Sequence, residues 1–221
     1  MPTREDLHTS ITTTVNDPDI TEDTERVVDL INEAYADVAA RVLLPKLESS
    51  VQVTTSISAT EVAQPDAMNF DRELFYCSGG EDFGEIKVLS SMALMMERYP
   101  DAGLDNVDGE VEFVCISGSN IFYHPVPETA QTLLLRFYTE VTELDDGEDI
   151  PSAIPTKFQK RLIHSYVCKE LFNDIEDGLE GAKVNTDKYE RRYEKALFEL
   201  EAQTQHGQAR AVPDRPRSSW V

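Results

Sequence analysis

The residues best suited to bind a partner stand at the end of the chain. Arg210, Arg215 and Arg217 are interleaved with Pro213 and Pro216, and Trp220 precedes the terminal Val221. Guanidinium groups and an indole are the usual anchors of protein interfaces. Proline lowers the entropy lost when an extended segment docks. The segment from Gly207 to Val221, running through Val212, has neither a helical nor a strand period, which predicts an extended or disordered arm. Fully stretched, about fifteen residues reach roughly 50 Å. The chemistry on offer is recognition of another protein along a neighbouring surface.

Other residues that could do chemistry are spaced wrongly for it. Asp145 to Asp149 is acidic enough for calcium, but lacks the spaced oxygens and distant bidentate Glu of an EF-hand, so it reads as a solvated loop. Ser78-Gly79-Gly80 and Ser117-Gly118-Ser119 match neither a phosphate-binding loop nor a nucleophile elbow and read as turns. His8, His124, His164 and His206 are scattered, without the paired spacing of a zinc site. His164 reads as a satisfied side chain at a helix packing edge. Cys77, Cys115 and Cys168 are odd in number and far apart, which predicts buried, reduced thiols. No catalytic residue, cofactor or metal ligand is expected.

Stepping outward, the longest periodic stretch runs from Ile154 to Gln205. Phe158, Leu162, Ile163, Tyr166, Val167, Leu171, Phe172 and Ile175 recur at three- and four-residue steps, which predicts a broad apolar stripe on one helix. Pro155 suits its first turn. Gly178 and Gly181 punctuate the exit, and Asn185 or Thr186 can cap a second helix. That helix buries Tyr189, Tyr193, Ala196, Leu197 and Leu200.

At the other end, Thr3 and Asp6 form a capping box before Leu7, Ile11 and Val15. A longer helix follows to Val42, lined by Val27, Leu30, Ile31, Ala34, Tyr35 and Val38. The middle changes texture. Strands are expected from Val51, over Leu74 to Cys77 and broken by Ser78-Gly79-Gly80, at Ile86, from Val111, from Ile121 and from Thr132 to Val141. A loop is expected from Ala59 to Asn69, and a short helix from Ser90 to Tyr99 whose methionines fill a core. Ser117 to Asn120 is a hairpin turn. No βαβ alternation is apparent. The fold class is therefore α+β: a helical bundle from both chain ends, an inserted β-rich module and an extended C-terminal arm.

The chain has 221 residues and a formal net charge of −22. Such acidity disfavours nonspecific nucleic-acid binding, since each phosphate contact needs a cation. It suits solubility, a surface that repels DNA, or a basic partner. The N-terminus lacks a signal-peptide core, and no apolar run is long enough to span a bilayer. Synthesis in a host cytoplasm without a membrane partner is expected.

The order of segments resembles the head-to-tail adaptor (connector) proteins of tailed bacteriophages. The resemblance is carried by Met95 to Pro100, the strand-turn-strand Val111 to Tyr123, Pro125-Val126-Pro127, Thr132 to Tyr138, Ile154-Pro155 with the helix through Leu162 and Leu171, and the helix with Tyr189, Tyr193, Ala196 and Leu197. The opening helices fit as well. It departs at Cys77 to Gly80, where comparable members often carry Leu-Pro before an Asp-Phe turn.

The resemblance implies a virion protein of the phage neck that forms a ring, usually of twelve copies, beneath the portal protein. A tail or nozzle protein would meet the other face, and DNA would pass through the lumen without sequence-specific binding. Residues 1–206 would form the body, with helices over about 4–15, 22–42, 156–176 and 186–205 and a β-rich insertion over about 50–141. Residues 207–221 would form the portal-binding arm: Arg210, Val212, Pro213, Arg215, Pro216, Arg217, Trp220 and Val221. The alternative is an acidic soluble regulatory binder or DNA mimic acting on a basic partner. An enzyme is not expected.

Overall fold

A computed structural model describes residues 1–17, 24–65, 76–79, 84–101, 108–177 and 183–209. The described chain is α+β and divides into two compact units. One is built from Met1–Lys46 together with the chain from Val141 onward, the other from Leu47–Glu140.

The first unit holds α1 (Arg4–Val15), α2 (Thr24–Arg41), α4 (Thr156–Asp177) and α5 (Val184–Ala209). The capping box of α1 forms as the sequence predicts. Asp6 N–H donates to Thr3 Oγ1 (3.2 Å), and Thr3 N–H donates to Asp6 Oδ2 (3.1 Å). Asn16 closes the helix in the left-handed region at φ 50°. Leu7, Ile11 and Val15 are buried, as are Val27, Ile31, Ala34, Tyr35 and Val38 of α2. Helix α2 ends at Arg41, before Pro45, which instead opens a 3-10 turn, Pro45–Leu47. The chain leading to α4 is tied to α2: Leu144 N–H donates to Asn32 Oδ1 (2.9 Å) and Ala153 N–H to Tyr35 Oη (3.0 Å).

Helix α4 packs against α1, α2 and α5. Its surroundings explain why its apolar stripe is so wide: Leu162, Ile163, Val167, Cys168 and Leu171 are completely buried. Ser165, Tyr166, Val167 and Cys168 are buried in succession, so this turn is covered on every side. Pro155 lies just outside the first turn, where its carbonyl accepts from Phe158 N–H (2.8 Å).

The second unit is a seven-stranded sheet in the order β1-β7-β3-β4-β5-β6-β2. The strands are β1 (Glu48–Thr54), β2 (Glu61–Ala63), β3 (Tyr76–Gly79), β4 (Glu85–Leu89), β5 (Phe113–Ser117), β6 (Asn120–His124) and β7 (Thr132–Tyr138), with α3 (Met92–Arg98) after β4. Strand β7 lies between β1 and β3, which explains its apolar centre. The β5–β6 turn is the expected hairpin: Gly118 sits at φ 62°, where a side chain would be strained.

Three expectations fail here. The loop from Ala59 contains β2, which pairs with β6. Ser78 and Gly79 continue β3 instead of breaking it, because both find partners on β7. Strands β4 and β5 are parallel neighbours joined through α3, so one βαβ crossover exists. The helix itself, Met92–Arg98, was expected, but the parallel pairing of the strands on either side of it is a contact across distance that spacing does not display.

Successive β5 residues serve two cores. Val114 joins Ile121, Leu133, Leu135 and Phe137 on one side, while Phe113 and Cys115 meet Leu89 and Met95 on the other. Met95 fills that core, but Met96 is half exposed.

Leu162→Ala should destabilise the helical unit by about 2–5 kcal/mol, since it leaves a cavity at a completely buried position of α4. Urea denaturation followed by circular dichroism measures this; a cost near zero would show that α4 is not the centre of the unit.

Candidate functional site

The predicted arm residues Arg210, Val212, Pro213, Arg215, Pro216, Arg217, Trp220 and Val221 lie outside the described residues. What the structure describes is the element that carries the chain to them. Helix α5 has 26 residues and continues through Gly207 and Gln208 to Ala209, beyond the predicted end of helix at Gln205. It spans roughly 39 Å at 1.5 Å per residue. One glycine near the end of so long a helix costs only about 1 kcal/mol relative to Ala.

Three devices fix α5 against its neighbours. The first is its buried row, Tyr189, Tyr193, Ala196, Leu197 and Leu200. Tyr189 stacks on Phe172 (centroids 5.5 Å apart), and Tyr193 meets Tyr166 edge-on (5.4 Å).

The second is a polar cluster against α2. The Tyr193 hydroxyl donates to Asp37 Oδ2. Arg41 Nε lies 3.0 Å from Asp37 Oδ2, and Arg41 Nη1 lies 3.1 Å from Glu194 Oε1. Burial, then the Asp37 carboxylate, raise the Tyr193 pKa well above the usual phenol value, so it stays a neutral donor.

The third is a cap supplied from outside the helix. The Glu176 carboxylate accepts from Asn185 N–H (2.9 Å), Thr186 N–H (3.1 Å) and Thr186 Oγ1 (2.7 Å). Neither Asn185 nor Thr186 caps α5 as expected. Both already lie in its first turn, and their donors are satisfied by an acid from the end of α4. Burial raises the Glu176 pKa, but the hydrogen bonds from Thr186 and Asn185 outweigh it, and the net shift is downward.

The acidic run has a structural task. Arg4 N–H donates to the Asp149 carbonyl (2.7 Å) and Glu5 N–H to the Gly147 carbonyl (3.0 Å). The Arg4 guanidinium donates to the carbonyls of Leu144 (3.2 Å) and Asp145 (2.7 Å). With the capping box, these bonds satisfy the first-turn donors of α1. Asp149 Oδ2 accepts from Asp146 N–H (2.7 Å), which fixes the turn itself. The loop is therefore docked on α1 by its backbone and not merely solvated.

One thiol meets an imidazole: Cys168 Sγ lies 3.7 Å from His164 Nδ1, one turn away on α4. Cys77, Cys115 and Cys168 are free and buried, and burial pushes Cys77 and Cys168 up to about 12. Such thiols are poor nucleophiles. His164 Nε2 lies 3.0 Å from Thr14 Oγ1, and burial, then Lys160, lower its pKa. His124 is buried in the second unit beside Tyr99. Among the described residues no three His, Cys, Asp or Glu side chains form a metal-binding group. No described helix is long and apolar enough to cross a membrane.

Sequence reading also passed over the outer face of α5. Val184, Lys188, Arg191, Lys195 and Phe198 are all exposed, Val184 at 65% and Phe198 at 71%. The row thus carries three cations between two exposed apolar side chains. The signal was available: steps of four, three, four and three residues place them in one line.

The ordered features described above hold helices and loops in place. The family model described as SU10 adaptor protein matches residues 2–217. The chain belongs to the SU10 adaptor protein family. The match takes in both structural units and most of the predicted arm, so the resemblance read from segment order holds for almost the whole sequence. Family membership gives a phage adaptor a structural role in the virion and association with other phage structural proteins. No curated protein matches the chain.

The Glu176 cap makes a pH-dependent prediction. Its carboxyl is held below the ordinary 4.5, so its stabilisation is complete above that value and lost as pH falls through the lower folded one. Glu176→Gln should lower the thermal midpoint at about pH 7, with the gap to the parent closing below about pH 4. Scanning calorimetry across that range checks it; a gap independent of pH would contradict it.

Proposed function

We propose that this adaptor works as a ring in the neck of a tailed phage, seated beneath the portal protein, with a tail or nozzle protein on its other face. The observation that carries the reading is the family match across residues 2–217. The helices from both chain ends act as a bundle that stacks beside its copies, twelve in the ring. The β-rich module is an insertion, and the segment beyond Ala209 is the extended arm.

The arm docks on the portal. Its three arginines and Trp220 supply anchors, and its prolines limit the entropy lost on ordering. The described helix supports this role, because α5 delivers the arm from a rigid element pinned by Tyr193 and Glu176. Twelve extended residues add roughly 40 Å of reach. The net charge of −22 supports a lumen whose acids keep passing DNA from sticking. The same charge opposes self-assembly of free subunits, so the portal serves as the template that gathers them.

Truncation after Ala209 should leave the body folded, with unchanged circular dichroism. It should weaken binding to purified portal by about a hundredfold or more, as loss of the anchoring side chains implies. Surface plasmon resonance measures this. Unchanged affinity would remove the docking role from the arm.

A further inference from the structure

The outer row of α5 lies on the side of the helix opposite the buried Tyr189, Tyr193, Ala196 and Leu200 and is exposed along its length. Of its three cations, Lys188 lies over the Tyr189 ring (5.0 Å). Arg191 and Lys195 have no ion-pair partner within 4.0 Å among the described residues. Two neighbouring acids form their ion pairs with other helices: Glu194 with Arg41, and Glu199 with Arg161 (2.8 Å). Phe198 ends the row with 71% of its surface in water.

This row is out of keeping with the rest of the chain. Nine of the twenty Lys and Arg residues lie between Lys157 and Lys195, in a protein of net charge −22. An anionic surface is the partner such a row fits. Nucleic acid is the poorer occupant, because the remainder of the protein would repel phosphate. The same structural unit carries the complementary patch. From Glu143 to Asp149 there are five acidic residues and no basic one. Glu143, Asp145 and Glu148 are exposed, and no hydrogen bond or ion pair holds their carboxylates among the described residues. Their backbone is fixed in place by Arg4 and by the first turn of α1.

A cationic row and an acidic loop at different places on one subunit are the two halves of a head-to-tail contact, the kind that closes rings. We infer that the outer row of α5 docks on the Glu143–Asp149 loop of a second copy of this chain, with Phe198 as the apolar anchor. The inference rests on the ring reading above and identifies its subunit contact. Charge pairing sets register and orientation, and the desolvated aromatic ring slows dissociation.

Sedimentation velocity of the full chain mixed with purified portal as template tests it with two charge-reversed variants, Arg191→Glu/Lys195→Glu and Glu143→Lys/Glu148→Lys. All four side chains are exposed, so both proteins should melt with the parent. Each variant alone should self-associate about tenfold or more weakly than the parent, and Phe198→Ala likewise. Mixing the two variants should restore association in part, because the reversed positions of the row then meet the reversed positions of the loop, while the native row of one variant meets the native loop of the other. Variants that associate like the parent, or a mixture that stays dissociated, would overturn the contact while leaving the ring reading intact. A parent that stays monomeric both alone and with portal would overturn both.

Discussion

The fold turns on the complete burial of one helix. Leu162, Ile163, Val167, Cys168 and Leu171 of α4 have no exposed surface. Burying a large apolar side chain fully is worth about 1.5–3 kcal/mol. Helix α4 can reach that state only if α1 and α2 from the start of the chain close over it together with α5 from the end. This requirement brings both chain ends into one unit and leaves the segment between them to form a sheet with cores of its own. Two acids at these seams are paired across them. Asp37 receives the Tyr193 hydroxyl, and Glu176 receives the donors that open α5.

A second constraint is charge. At −22, copies of this chain repel one another at long range, and any assembly must concentrate its attraction at short range. The distribution of cations meets that need. They are sparse elsewhere and dense along α4 and α5, where the long helix shows a cationic row with an exposed phenylalanine. The proposed place between larger bodies calls for surfaces of this kind more than for a pocket. The proposed ring uses one end of α5 to direct the arm and its outer face to meet a neighbour.

The helical unit was legible because each helix has one buried face and period reveals it. The stripes on α1, α2, α4 and α5 follow from spacing alone, and so does the Thr3–Asp6 box, whose partners stand three residues apart. What spacing could not supply is pairing across distance. Glu176 caps a helix that begins eight residues later. The only hint was an acid in the last turn of α4, where the helix macrodipole disfavours it. The acidic loop reads as solvated because its side chains are charged, yet it docks through its carbonyls, which sequence does not display. In the sheet, the three-residue β2 is too short for any alternation, and Gly79 passes for a break because its backbone partner on β7 is more than fifty residues away. Of the proposed contact surfaces, the terminal arginines and Trp220 stood out by composition. The row ending in Phe198 did not, because attention to buried spacing passes over exposed spacing.

The central claim is that this chain acts as a ring-forming subunit between a portal and a tail. An electron-cryomicroscopy map of the protein mixed with purified portal tests it most directly. The account predicts a closed ring of adaptor subunits seated on the portal, with density for residues 210–221 of each copy running along the portal surface. A map that shows bare portal beside single unassembled subunits would contradict it.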